Sequence, residues 1–131
     1  MSGLYVDTSS LGRVLLGEPD APGIKRSLTE FDQRYGSRLM RTELLRLGAR
    51  TGLEHQTGRV LAGISFVPLD DAILRSTARL RPFDLGTLDA IHLASALALD
   101  RRGLIETIMT HDRRLAAAAR DHGLAVVAPD Q

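Results

Sequence analysis

One short segment near the start of the chain, Leu4 to Ser10, most constrains the fold. It reads LYVDTSS, so that three apolar strand-forming residues are followed by an acid and three hydroxyl residues. An apolar run without polar alternation is typical of a strand that helices cover on both faces, as in a parallel sheet. Asp7 then stands at the carboxyl end of the strand, where open parallel sheets bind their ligands. We expect the residues from Thr8 to Ser10 to cap the helix that follows.

The composition bounds the class of protein. A chain of 131 residues favours one domain, 1–131, which is large enough to bury a core. The sequence contains no cysteine, which excludes disulfide scaffolds and thiolate metal sites. No apolar run approaches the length of a membrane span, and the first residues lack the pattern of a signal peptide. We therefore expect a cytoplasmic protein without a membrane partner.

The charge of the chain permits a nucleic-acid partner without demanding one. The formal net charge is +1, and Lys25 is the only lysine among 17 basic residues, the rest being arginine. Arginine suits bidentate contact with phosphate and pairing with carboxylates. A GC-rich genome would give the same arginine content, so the bias alone does not decide between the two explanations.

Strand-like and helix-like segments alternate along the chain. We expect strands at 4–6, 37–40, 64–69, 107–110 and 124–127. We expect helices at 11–16, 20–31, 41–50, 56–62, 70–81, 85–102 and 112–122, with Asp70, Asp84 and Asp112 as N-caps and Gly52 and Gly103 at C-terminal ends. Strands separated by helices favour right-handed crossovers, and hence an α/β fold in which helices cover both faces of a parallel sheet.

The longest predicted helix carries an acid on an otherwise apolar surface. Between residues 88 and 99 only Asp89, His92 and Ser95 are polar, which predicts a buried helix. A buried carboxylate costs several kcal/mol unless it is paired or bound to a cation. No basic residue lies three or four positions from Asp89, so we expect compensation from elsewhere in the chain or from a ligand. We expect His92 to pack or to form a hydrogen bond rather than to bind metal.

Three other acids have both a structural and a functional interpretation. Glu43 borders the apolar face of its helix, where a surface ion pair with Arg46 would explain it. Asp7 and Asp112 each follow a strand, where an N-cap would explain them. Taken with Asp89, however, all four acids could meet in one crevice, and their mutual repulsion would be relieved by Mg²⁺ or Mn²⁺. This arrangement predicts a metal-dependent site for phosphoryl transfer.

Four segments resemble the signature segments of the PIN-domain ribonucleases, and most closely those of the VapC toxins: YVDTSSL, RTELLRLGAR, LDAIHLASAL and MTHDRRLAAAA. The resemblance covers nearly the whole chain. It implies that Asp7, Glu43, Asp89 and Asp112 form the acidic quartet, which binds Mg²⁺ or Mn²⁺, with Ser9 and Thr110 as supporting hydroxyls. It also implies a three-layer α/β/α sandwich around a parallel five-stranded sheet, a homodimer, and a VapB-like antitoxin partner that completes a heterotetramer or larger complex.

The expected reaction is hydrolysis of RNA by a water that the metal activates. Four arginines near the acids are candidates for contact with RNA phosphates, although a solvated surface would also explain them: Arg46, Arg50, Arg113 and Arg114.

A dehalogenase-type phosphatase would need a second acid where Ser9 stands, and a dinucleotide-binding protein would need a glycine-rich turn after the first strand. A non-catalytic PIN-like interaction module remains the alternative.

Overall fold

The structure is a computed structural model that describes residues 3–128, so residues 1–2 and 129–131 of the predicted domain lie outside it. The described residues form five strands, β1 Gly3–Val6, β2 Gln33–Ser37, β3 Ser65–Val67, β4 Ile105–Met109 and β5 Ala125–Val127. They also form seven helices, α1 Thr8–Leu15, α2 Ala21–Leu28, α3 Arg38–Thr51, α4 Glu54–Leu61, α5 Asp71–Arg79, α6 Thr87–Arg101 and α7 Arg113–Asp121. None of these seven helices is long and apolar enough to cross a membrane.

All five strands run parallel in a single sheet whose order is β3-β2-β1-β4-β5. The first strand therefore lies at the centre, with β2 on one side and β4 on the other. In such a sheet the chain turns to opposite sides after the central strand, and the resulting crevice at the carboxyl edge is the usual ligand site. The predicted parallel five-stranded sheet is confirmed, and Asp7 follows β1 at this crevice.

Helices bury both faces of the sheet, which explains the unbroken apolar run in β1. Tyr5 faces a cluster formed mainly by α6, α7 and β4. Leu4 and Val6 face the opposite cluster, formed mainly by α1, α2, α3 and α4. All three side chains are fully buried. A strand with two buried faces needs apolar residues at every position, and this is the pattern that the sequence carries.

The second strand lies earlier in the chain than the sequence predicts. The sequence favours a strand at residues 37–40, but β2 spans Gln33–Ser37 and α3 begins at Arg38. The hydroxyl of Ser37 accepts a hydrogen bond from the Met40 backbone N–H at 3.0 Å, which caps the helix at this point. The segment QRYGS has no apolar alternation, and pairing with β1 and β3 makes it a strand.

Two predicted helix caps are wrong. The side chain of Asp7, rather than Thr8 to Ser10, caps α1, because those three residues already belong to the helix. Helix α6 begins at Thr87 after Gly86, so Asp84 lies outside it and does not cap it. The predicted caps at Asp70 and Asp112 are confirmed, as is the left-handed Gly52 at the end of α3.

Candidate active site

Asp7 is the most buried acid at the carboxyl edge of the sheet, with 3% of its surface exposed. Its Oδ1 accepts hydrogen bonds from the Ser9 hydroxyl at 2.7 Å and from the Ser10 backbone N–H at 3.4 Å. Its Oδ2 accepts one from the Thr110 hydroxyl at 2.8 Å. Burial raises the pKa of Asp7 by more than these donors lower it. A cation near the carboxylate would offset this cost of burying the charge.

The hydroxyls of Ser9 and Thr110 connect the ends of β1 and β4. Besides donating to Asp7, Ser9 accepts a hydrogen bond from the His111 backbone N–H at 2.9 Å. Thr110 likewise accepts one from the Asp112 backbone N–H at 3.0 Å. The structure therefore brings both predicted supporting hydroxyls to Asp7, and it shows that each also holds the loop that leads to Asp112.

Asp112 is the N-cap of α7, and only one of its two carboxylate oxygens accepts the capping hydrogen bonds. Oδ1 accepts hydrogen bonds from the backbone N–H groups of Arg114 and Leu115 at 2.9 and 3.0 Å. Within residues 3–128, Oδ2 accepts no hydrogen bond from a protein group. The structural and functional interpretations of Asp112 are therefore compatible, since capping leaves one oxygen available.

Asp89 lies in the first turn of α6 and is partly exposed, whereas the middle of the helix is buried. Within the described residues no lysine or arginine pairs with Asp89, and His92 only partly offsets its charge, so a ligand stays the expected source of the remaining compensation. Burial raises the pKa of Asp89 first, and repulsion from Asp112, Asp7 and Glu43 raises it further. The other three predicted acids therefore all act electrostatically on Asp89.

Glu43 on α3 is held by two side-chain donors on the same oxygen. The Thr8 hydroxyl lies 2.5 Å from Oε1, and Nε2 of His92 lies 3.0 Å from it. Within the described chain Oε2 has no such donor, and the surface ion pair considered for Glu43 and Arg46 is not formed. Although burial raises the pKa of Glu43, the hydrogen bonds from His92 and Thr8 outweigh it, and the net pKa is lowered.

His92 is buried in α6, and its predicted hydrogen-bonding role is confirmed. Its Nδ1 lies 3.0 Å from the Tyr5 hydroxyl, so the imidazole bridges Tyr5 on β1 and Glu43 on α3. Sequence reasoning assigns neither Tyr5 nor Thr8 to the site. These contacts join residues 87, 49 and 35 positions apart, and no local pattern in the sequence signals them.

The side chains available at the crevice fit a hard divalent cation by chemistry but do not form a closed ligand set. All four acids offer carboxylate oxygens, which Mg²⁺ and Mn²⁺ prefer. Glu43 and Asp112 each have one anchored and one unanchored oxygen. However, no group of three acids or histidines within residues 3–128 is arranged to hold a metal ion. Carboxylates that repel one another stay apart unless a cation neutralises them.

The four candidate arginines are exposed: Arg46, Arg50, Arg113 and Arg114. Arg113 and Arg114 open α7 directly after Asp112, and Nη2 of Arg114 donates to the Asp84 carbonyl at 3.4 Å. Arg46 follows Glu43 by three positions on α3. The four arginines are therefore accessible to a ligand and lie close in sequence to Asp112 or Glu43.

Comparison with known proteins decides the family. The PIN domain family matches residues 4–121 of the chain. The chain belongs to the PIN-domain family. Ribonuclease VapC46 of Mycobacterium tuberculosis is 34% identical to this PIN domain over 132 residues, covering 98% of this chain and 99% of the relative. Ribonuclease VapC47 of the same species is 33% identical over 133 residues and covers 96% of both chains.

Solved structures agree with the fold of this PIN domain. A toxin–antitoxin complex from Klebsiella pneumoniae contains a chain that superposes with a TM-score of 0.75 at 22% identity, covering 99% of both chains. The Mycobacterium tuberculosis toxin VapC20, described as cleaving the sarcin–ricin loop, superposes with a TM-score of 0.70 at 17% identity and covers 96% of this chain. The α/β/α architecture predicted from the sequence is thereby confirmed.

Proposed function

We propose that this PIN domain is a divalent-metal-dependent endoribonuclease, a toxin of the VapC type that hydrolyses phosphodiester bonds in RNA. The proposal concerns four acids, Asp7, Glu43, Asp89 and Asp112. It is carried by the Thr110 hydroxyl, which hydrogen-bonds both Asp7 and the backbone of Asp112, and by Thr8, next to Asp7, which donates to Glu43. Three of these acids raise the pKa of the fourth, Asp89, through their charges. The similarity to proteins named Ribonuclease VapC supports RNA as the substrate.

Asp7 and Asp89 would hold Mg²⁺ or Mn²⁺, with Glu43 and Asp112 binding it directly or through water. When bound by these residues, the cation would supply the positive charge that polarises the scissile phosphate and lowers the pKa of a bound water. Ser9 and Thr110 keep Asp7 in place through the hydrogen bonds on its two oxygens. The chain has no cysteine, and a side-chain nucleophile is not needed, because water attacks the phosphorus. The products would carry 5′-phosphate and 3′-hydroxyl ends.

Exposed arginines would position the RNA backbone. Arg113 and Arg114 follow Asp112 directly, and Arg46 and Arg50 extend from Glu43 along α3. Guanidinium groups contact phosphates without reading sequence, so these residues would orient the strand and supply affinity. Aromatic residues make up only 4% of the chain, which favours recognition of RNA shape and backbone over stacking of several bases.

A VapB-like antitoxin would bind in the groove beside the first helices, on a PIN-domain homodimer. A groove of about 480 Å³ has an apolar floor that includes Leu11, Val14 and Val60, and a basic rim that includes Lys25 and Arg59. An amphipathic segment with acidic side chains opposite the rim would complement it. The groove adjoins α1, which begins at Thr8 beside the crevice. None of the four acids is among the described residues that line the groove, so a basic antitoxin side chain would have to extend beyond it to reach them.

One observation favours a second candidate, a non-catalytic interaction module: no group of three acids or histidines in the described residues is arranged to hold a metal. Thermal unfolding with and without Mn²⁺ separates the two. A ligand that binds the folded state at 100 times its Kd stabilises that state by about 2.7 kcal/mol. A nuclease should be stabilised in this way, and a purely interacting module should not respond.

The proposed function is tested by inducing the wild-type chain beside Asp7→Ala and Asp89→Asn in bacteria that lack the antitoxin. Only the wild type should arrest growth and give discrete new 5′-phosphate ends in total RNA. All three chains should be present in the folded fraction at equal levels. Identical behaviour of the three folded proteins would contradict the proposal and favour the interaction module.

A further inference from the structure

We infer that Tyr5 and His92 are positioning residues, which hold Glu43 through one carboxylate oxygen so that the other oxygen is available to the cation. The inference rests on the proposed function and assigns two residues to the same site. It is carried by a chain of hydrogen bonds from the Tyr5 hydroxyl to His92 Nδ1, and from His92 Nε2 to Glu43 Oε1, each 3.0 Å long.

The direction of the chain follows from the donors that are present. Tyr5 is fully buried, and its hydroxyl can donate a hydrogen bond to Nδ1 of His92 at 3.0 Å. When Nδ1 of His92 accepts that hydrogen bond, the ring carries its own proton on Nε2. The Nε2–H group then donates to the carboxylate of Glu43. Tyr5 thus fixes both the tautomer and the orientation of the imidazole.

The hydroxyl of Thr8 completes the arrangement at Glu43. It donates to Oε1, the same oxygen that His92 contacts, and within residues 3–128 no protein group donates to Oε2. Two donors on one oxygen fix the torsion of the carboxylate and leave the second oxygen unpaired. Asp112 shows the same division, since both backbone donors contact its Oδ1. A residue that hydrogen-bonds a metal ligand orients that ligand and tunes its affinity for the metal.

Packing alone does not explain a histidine at this position. The residues that flank His92 in the sequence, Ile91 and Leu93, are apolar, and α6 buries every residue from Ala90 to Ala96. A buried imidazole costs free energy unless both nitrogens find partners, whereas leucine would fill such a position without that cost. His92 meets the requirement only through Tyr5 and Glu43. Its polar contacts therefore connect Tyr5 in the core to Glu43 at the crevice.

The test is calorimetric titration of metal-free protein with Mn²⁺, using the wild type, Tyr5→Phe and His92→Leu. Tyr35→Phe is the matched control, because Tyr35 pairs with Tyr5 across the two neighbouring strands and its replacement removes a hydroxyl outside the chain of hydrogen bonds. Removing a supporting partner of a metal ligand lowers metal affinity about 10- to 100-fold. We expect a loss in this range for Tyr5→Phe and His92→Leu, no change for Tyr35→Phe, and partial recovery for His92→Gln, which keeps a donor for Glu43.

A second readout separates positioning from stability. The apparent KM for Mn²⁺ in RNA cleavage should rise in Tyr5→Phe while kcat at saturating Mn²⁺ changes little. The melting temperature should fall below that of Tyr35→Phe, because Nδ1 of His92 loses its partner, but a loss of stability alone would not raise the KM for Mn²⁺ in the folded protein. If the wild type binds Mn²⁺ and Tyr5→Phe binds it equally well, the positioning role is overturned and the proposed function stands. If the folded wild type binds no Mn²⁺, the proposed function fails and the inference falls with it.

Discussion

The hydroxyl of Thr110 donates a 2.8 Å hydrogen bond to Oδ2 of Asp7, which joins the carboxyl ends of the two central strands β1 and β4. The same hydroxyl accepts a hydrogen bond from the backbone N–H of Asp112 at 3.0 Å. A single buried side chain thus positions two of the four acids. Ser9 makes the same pair of contacts, since its hydroxyl donates to Asp7 and accepts from the backbone N–H of His111.

Replacing Thr110 with valine should destabilise the protein, because the isosteric side chain leaves Asp7 Oδ2 and the Asp112 N–H without partners. An unsatisfied buried polar group costs about 1–3 kcal/mol. We expect a fall of this size in the free energy of unfolding, measured by urea denaturation. Thr110→Ser keeps the hydroxyl and serves as the control. Equal stability of the valine variant and the wild type would show that the hydrogen bond contributes nothing.

Asp89→Asn should make the metal-free protein slightly more stable at neutral pH while abolishing cleavage. The raised pKa of Asp89 means that its charged form destabilises the folded state above that pKa. The side chain is partly exposed, so solvent screens the repulsion and the expected rise in melting temperature is roughly 1–3 °C. Thermal scans without metal, combined with a cleavage assay, measure both effects.

The stability difference between Asp89→Asn and the wild type should depend on pH. As the pH falls through the folded-state pKa, Asp89 takes up a proton and the repulsion that the substitution relieves disappears. The difference should therefore be present at pH 7 and vanish toward the ordinary aspartate pKa of about 3.9. A large fall in melting temperature for Asp89→Asn at neutral pH would contradict the account of the four acids.

Arg59→Glu should weaken binding of the antitoxin at least about tenfold, since a basic rim residue of the groove becomes acidic and about 1.4 kcal/mol corresponds to a factor of ten. Cleavage by the antitoxin-free protein should be unchanged. Arg75→Glu, an exposed charge reversal on α5, is the matched control. Co-purification and a binding titration with the antitoxin give the measurement. Equal losses for both variants would place the contact elsewhere.

The double variant Arg113→Ala/Arg114→Ala should bind RNA more weakly, in the Asp89→Asn background that prevents cleavage. Log affinity decreases as log salt increases. If both residues bind phosphates, the magnitude of this slope should decrease by about two, one unit for each arginine removed. The control is Arg101→Ala/Arg102→Ala, which lies at the C-terminal end of α6, whereas Asp89 lies in its first turn. An unchanged slope would indicate that the two arginines only solvate the helix surface.

Local sequence signals predict the parts of the site that lie at strand ends. Asp7 and Asp112 each follow a strand and cap the next helix, so the residues next to them in the sequence are sufficient to predict where they lie. The parallel sheet follows from the alternation of strands and helices. The strand β2 is misplaced by sequence reasoning because QRYGS lacks an apolar pattern, and its strand conformation depends on pairing with β1 and β3.

The partners of the acids could not be predicted in the same way. The environment of Glu43 depends on Thr8 and His92, which three-dimensional packing brings from α1 and α6. Helical spacing instead suggests Arg46, which is close in sequence but forms no ion pair with Glu43 within the described chain. Similarly, the apolar pattern of α6 predicts burial along its whole length, whereas Asp89 lies in its first turn, where the helix meets solvent.

The most direct test of the central claim is incubation of the purified, antitoxin-free protein with total RNA in the presence of Mg²⁺ or Mn²⁺, with EDTA as the metal-free control. Mapping of new 5′-phosphate ends is the readout, for the wild type beside Asp89→Asn. The account predicts discrete ends that require both the metal and Asp89. Ends that form equally with EDTA, or with the folded Asp89→Asn protein, would contradict it.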